Sequence, residues 1–217
     1  MTAKRGAKDA GRSTYHHGDL RAALVDAALV LLAETRRWDF SLREVARRAG
    51  VSHNAPYAHF ADKRDLLAAV ATAGYETLRA RMLAAQAEAR DAGEALDAIG
   101  VAYLRFGTEN SAHYRLMFGP TLLASDEATP AEVIEAAAAS RGVLSDVVRR
   151  GAEDGIFAIA PNDPAAITAA VLAAWSLVHG LTLLYIDGLA TLETPLGIEQ
   201  LAEKVASIFM HGLARQE

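Results

Sequence analysis

The chain has 217 residues, of which 52% are hydrophobic and none is cysteine. Its size and apolarity exclude intrinsic disorder and allow one or two buried cores, and without thiols there are no disulfides, thiolate metal sites or thiol catalysis. The net charge of −5 conceals a division: residues 1–65 hold 12 Lys/Arg against 8 Asp/Glu, a surplus of +4, whereas residues 66–217 hold 10 against 19, a deficit of −9. A basic first third before an acidic remainder suits a segment that faces nucleic acid, joined to one held away from it.

Residues 1–17 are expected to form a flexible basic arm, with Lys4, Arg5, Lys8 and Arg12 against Asp9. Such an arm either solubilises the chain or lies in a minor groove. It has no apolar stretch of the secretory type, and His16–His17 lacks further ligands, so neither a leader nor a metal site is expected. The first helix runs from Asp19 to Arg36, with Leu20, Leu24, Ala27, Ala28 and Leu31 on one face. Trp38 and Phe40 seal its junction with the next element.

Ser41 and Glu44 have the spacing of a capping box that opens a second helix, whose apolar face is Val45, Ala46 and Ala49. Gly50 follows at the point where a sharp turn needs positive φ, and Val51 plugs the inside of the corner. Ser52 is expected to cap a third helix that reaches about Phe60, a helix-turn-helix in which the last of these helices enters a major groove. Arg43, His53 and Asn54 would face base edges, Ser41, Tyr57, His59 and Lys63 would serve the backbone, and Ser52 and Ala55 complete the expected DNA-binding set. Pro56 interrupts this helix near its start by removing one backbone donor. A purely structural corner with solvated histidines is the competing reading.

Asp62 caps a long fourth helix to about Glu88, the mechanical connection between the two parts of the chain. Leu96, Ile99, Tyr103 and Phe106 mark a fifth helix to about Asn110, and SAHYRLMF a sixth that stops at Gly119–Pro120. Residues 120–129 read as loop, and a seventh helix runs from Pro130 to near Gly155. The eighth, Pro164 to Ile186, is apolar almost all round and predicts burial on several sides. A ninth, about Gly197 to His211, carries Ile198, Leu201, Val205 and Ile208 as one stripe. There is no β-type alternation, so the expected class is all-α with about nine helices. The boundaries are 1–17 for the arm, 18–65 for the helix-turn-helix domain and 66–217 for a C-terminal ligand-binding and dimerisation domain.

The run LREVARRAGVSHNAPYAHFADKRDLL resembles the N-terminal domain of TetR-like transcriptional regulators, through Ala49-Gly50-Val51-Ser52, Tyr57-Ala58-His59-Phe60 and Lys63. The motif is specific over roughly residues 18–67, and it departs from the family at Pro56, where Leu is usual. Elsewhere the resemblance lies in helical layout and in Trp175-x-x-x-His179-Gly180, which looks like a motif of one subgroup's ligand-binding domain. It implies a cytoplasmic homodimer, joined through its last two helices, that binds a partly palindromic double-stranded operator as a repressor and is released by a small molecule.

The residues expected at the effector site are Tyr103, Phe106, His113, Met117, Trp175 and His179, which would make its lining largely apolar. A filled core with Trp175 and His179 merely packed is the alternative, and Gly180 implies a close approach or an irregularity there. No nucleotide-binding, hydrolase or metalloprotease motif is present, so no catalytic residue, cofactor or metal is expected. No uninterrupted apolar run reaches the roughly 18–20 residues of a membrane span. A helical small-molecule-binding protein or enzyme with an incidental helix-turn-helix remains the other functional class.

Overall fold

The computed structural model describes residues 17–123, 128–190 and 197–211, so nearly all of the expected basic arm lies outside the described residues. Among the described residues every regular element is helical. The order is α1 (His17–Thr35), α2 (Leu42–Arg48), a 3₁₀ turn (Ala55–Ala58), α3 (Lys63–Ala87), α4 (Ala92–Glu109), α5 (Ser111–Phe118), α6 (Pro120–Leu123), α7 (Ala131–Glu153), α8 (Pro164–Ile186) and α9 (Ile198–His211). The short α6 occupies part of the stretch expected to be loop.

The local chemistry explains where these helices start. Ser41 accepts from the Glu44 amide at 3.2 Å while Glu44 accepts from the Ser41 amide at 2.6 Å, a closed capping box. Asp62, Asp91 and Asp163 cap α3, α4 and α8 in the same way, each accepting from amides of the first turn. α2 ends in a Schellman motif. Gly50 stands at φ +70°, its amide donates to Arg47 at 3.2 Å, and the Val51 amide donates to Ala46 at 3.0 Å. A side chain at that φ would be strained, which is why the corner needs glycine.

α3 is the spine. Its first turns bury Leu66, Leu67 and Val70 with Leu24, Leu32 and Phe60 of the N-terminal elements, and its later turns bury Tyr75, Leu78 and Met82 with α4, α5 and α7. One continuous apolar core therefore runs along it from Leu24 to Val147. Close approach to α3 is possible because Gly74 has no Cβ: one placed there would lie 2.5 Å from both His113 Nε2 and Met117 Sδ. Gly107 does the same where α4 meets Thr182 of α8 and the ring of Tyr114.

α8 leaves much of its apolar surface uncovered within one chain. Only Ala174 and Thr182 are buried along it, and Leu172, Leu184 and Tyr185 are 51%, 47% and 43% exposed. By length and composition this helix could cross a membrane, its best 18-residue window having a mean hydropathy of 1.8. Gly180 meets nothing within 4 Å, so the close approach expected there is absent within this chain.

Candidate functional site

The side chains expected to be functional fall in two regions along α3, one at its start and one at its later turns. At the first, the expected third helix from Ser52 to Phe60 is replaced by a turn and the four-residue 3₁₀ segment Ala55–Ala58. The cause is Pro56, which cannot donate to the Ser52 carbonyl; Ala55 donates to it instead, at 2.9 Å. The i→i+3 pattern continues from Tyr57 to Asn54 at 3.2 Å and from His59 to Pro56 at 2.9 Å. Pro56 is itself buried, so the ring also anchors the segment to the core.

The outer surface of this segment holds Ser52, His53 and Asn54, all exposed, and Tyr57, which is 53% exposed. Arg43 is exposed on α2, and Arg47, one turn later on the same helix, shares its exposure without having been singled out from sequence. Ala55 and His59 are half-buried. Lys63 is half-buried in the first turn of α3, its ammonium 5.7 Å from the centre of the Phe40 ring. Ser41 is exposed but already engaged in its cap. The cap also holds the Glu44 carboxyl below its ordinary range, first through the backbone amide of Ser41 and then through its hydroxyl. This face presents donors, acceptors and cations together, the mixture that reads base edges and phosphates.

The second region is a cavity of about 380 Å³ enclosed by α3, α4, α7, α8 and α9. Leu78, Met82, Ile99, Leu144, Val171 and Val178 supply much of an apolar wall. Tyr103 and Trp175, both named from sequence, line it. Phe106, His113 and Met117 stand outside the lining, in the packed core beneath α3. There the His113 Nε2 lies 2.7 Å from the Val70 carbonyl, and burial pushes its pKa down, opposed by that same bond.

His179 stands behind the wall in a polar cluster. The Tyr114 hydroxyl donates to the Tyr103 oxygen at 3.0 Å, Trp175 Nε1 donates to the same oxygen at 3.2 Å, and His179 Nδ1 lies 2.9 Å from Tyr103 and 2.5 Å from Tyr114. Burial raises the Tyr103 pKa to about 12, raises that of Tyr114 and lowers that of His179, so the cluster is neutral near pH 7. Tyr114, Phe118 and Arg141 were missed from sequence. Tyr114 follows Tyr103 by 11 residues across a helix break, and Arg141 reads as an ordinary charged face position on α7. No group of His, Asp and Glu among the described residues is placed to hold a metal ion.

The comparisons with known proteins bear on both regions. Residues 96–209 match the family model described as the tetracyclin repressor-like C-terminal domain, and residues 24–70 match that of bacterial regulatory proteins of the tetR family. Over 101 residues the chain is 42% identical to an uncharacterized HTH-type transcriptional regulator of Haemophilus influenzae; the match takes in 45% of this chain and 48% of that protein, so the chain spans about half the length of this relative. A protein of unknown function from Rhodococcus sp. RHA1 superposes with TM-score 0.78 at 30% identity, over 94% of this chain and all of that one. The regulator FadR of Bacillus subtilis, solved in complex with stearoyl-CoA, superposes with TM-score 0.71 at 15% identity, over 89% of this chain and 99% of that one, a likeness of fold alone.

Proposed function

The chain belongs to the TetR family of bacterial transcriptional regulators, and from that premise we propose that it is a repressor that binds a partly palindromic operator as a homodimer and leaves it when a small, largely apolar molecule fills the cavity. The supporting observation is the path of α3. It begins at the DNA-facing segment with Asp62 and Lys63, and its Tyr75, Leu78 and Met82 line the cavity some turns later. One rigid element thus touches both regions, and the core around it is continuous. Residues 18–65 form the DNA-binding unit of this reading and 66–217 the effector and assembly unit.

A single short reading segment spans too few bases for selective binding, so two copies are needed on one face of the duplex. The exposed apolar faces of α8 and α9, with Leu184, Tyr185 and Ile208, are the surfaces that a second copy would cover. Release follows if the effector binds better to a form in which α3 has tilted and carried the two reading segments out of register with successive grooves. Only that difference in affinity can drive release.

The experiment is selection of duplex DNA from a random pool, footprinting of the selected sequence and sedimentation of protein and complex. Expected are a two-fold symmetric footprint and two chains per operator, with strong salt dependence. Absence of duplex binding at low salt would refute the reading and leave a helical binding protein.

A further inference from the structure

Resting on the reading of the cavity as the effector site, we propose that its ligand is an amphipathic anion, an apolar body carrying one carboxylate or phosphate held between Arg141 and the Tyr103 hydroxyl. The first observation is Arg141. It lines the cavity, its guanidinium carbon lies 5.9 Å from the centre of the Trp175 ring, and among the described residues it forms no ion pair. The Arg149 guanidinium, two turns along the same helix, is satisfied by Asp146 at 2.9 Å. The lining also holds two carboxylates, neither on the helix that carries Arg141. Asp97 belongs to the start of α4, where Gly93 approaches Ile156 beyond the end of α7, and so lies toward Arg149. Glu203 is on α9 and exposed. Arg141 is exposed, so solvent screens its attraction for an anion, and an apolar body anchored in the cavity is what would hold the anion beside it.

The second observation is the direction of the polar cluster. Tyr114 has one hydroxyl proton, and it is donated to Tyr103. With the proton on Nδ1, His179 donates to Tyr114; with Nδ1 bare, it accepts instead. Tyr103 then accepts from Tyr114 and from Trp175, which occupies both lone pairs of its oxygen. With Nδ1 protonated, the proton of Tyr103 has no acceptor left in the cluster, and Tyr103 lines the cavity. Of the cluster, Tyr103 and Trp175 line the cavity. Trp175 touches both Tyr103 and Arg141, which places the hydroxyl and the guanidinium at one end of the cavity and leaves the aliphatic wall for the ligand's body.

The test is calorimetric titration of the full chain with four probes that share one tail: decanoate, decyl phosphate, 1-decanol and decylammonium. Both anions, or one of them, should bind about ten- to hundredfold more tightly than decanol, the range of a charge-assisted hydrogen bond, and whichever anion is tighter identifies the head group. Arg141→Gln, on an exposed helix face, should abolish that preference and leave decanol binding unchanged. Tyr103→Phe should weaken the anions and decanol alike, because it removes a donor and no charge. Equal binding of decanol and both anions, tighter binding of decylammonium, or an anion preference that survives Arg141→Gln would overturn this inference while leaving the cavity an effector site. Failure of all four probes to bind folded protein would overturn the effector reading itself.

Discussion

Gly74→Ala measures how tightly the spine is held. Substituting alanine for an interior helical glycine ordinarily stabilises by about 1 kcal/mol. At Gly74 the new Cβ would stand 2.5 Å from His113 Nε2 and from Met117 Sδ, short of an ordinary contact by about 1 Å. The Met117 thioether can swing aside, but His113 is fixed by its 2.7 Å hydrogen bond to the Val70 carbonyl and is 9% exposed. Moving it leaves a buried donor unpaired, at about 1–3 kcal/mol, in addition to about 1–3 kcal/mol of overpacking. The net expectation is a loss of about 2 kcal/mol or more, a fall in Tm of roughly 4–8 °C for a chain of this size. Gly142→Ala is the control: it lies within α7, and a Cβ there meets nothing within 4 Å. Urea denaturation of both variants at one protein concentration gives the comparison. If Gly74→Ala stabilises as Gly142→Ala does, the packing of α5 against α3 has been misjudged.

Other perturbations separate the parts of the molecule. Asn54→Ala should change the selected operator sequence and cost about 1–3 kcal/mol of binding, whereas Lys63→Ala should weaken all duplexes alike and lower the salt slope by roughly one, both read by titration at several salt concentrations. Leu184→Asp on α8 or Ile208→Asp on α9 should yield a folded monomer with lost operator affinity, checked by sedimentation; these positions are 47% and 48% exposed. His113 and His179 have pKa values lowered by burial from the ordinary 6.5. Their neutral forms are favoured on folding, so stability holds above about 6.5 and declines as pH falls through that value, where the unfolded chain gains protons first. Urea midpoints between pH 5 and 8 should follow this slope, and His113→Gln should flatten it.

What the sequence made legible was local. Ser41 with Glu44, Gly50 with Val51, and Asp62 each act within one turn of themselves, so their spacing was enough to place the corner and the start of α3. Pro56 was visible as an interruption, but periodicity could not say that the whole helix would shorten to a 3₁₀ turn around it. The cavity was less legible for a different reason. Tyr103 and Phe106 share a helix, yet one faces the space and the other the core, because which side of α4 meets a neighbour depends on how α5 and α8 cross it at Gly107. His113 and Met117 belong to α5, whose inner face is taken up by Gly74, so no room is left for a ligand beside them. Arg141 gains its meaning only from Trp175 on another helix.

The 3₁₀ geometry of the reading segment bears on how its specificity could be rewritten. With three residues to the turn, side chains three apart fall into one column rather than spiralling around the axis. Asn54 and Tyr57 share such a column on the exposed side, while the buried Pro56 fixes the stem behind them. Docked as proposed, the segment would work like a key with two adjacent teeth on a rigid shank: changing one tooth leaves the shank in place. On the proposed docking, substitution at 54 should change the preferred base and substitution at 57 the affinity for the backbone, each at little cost in folding.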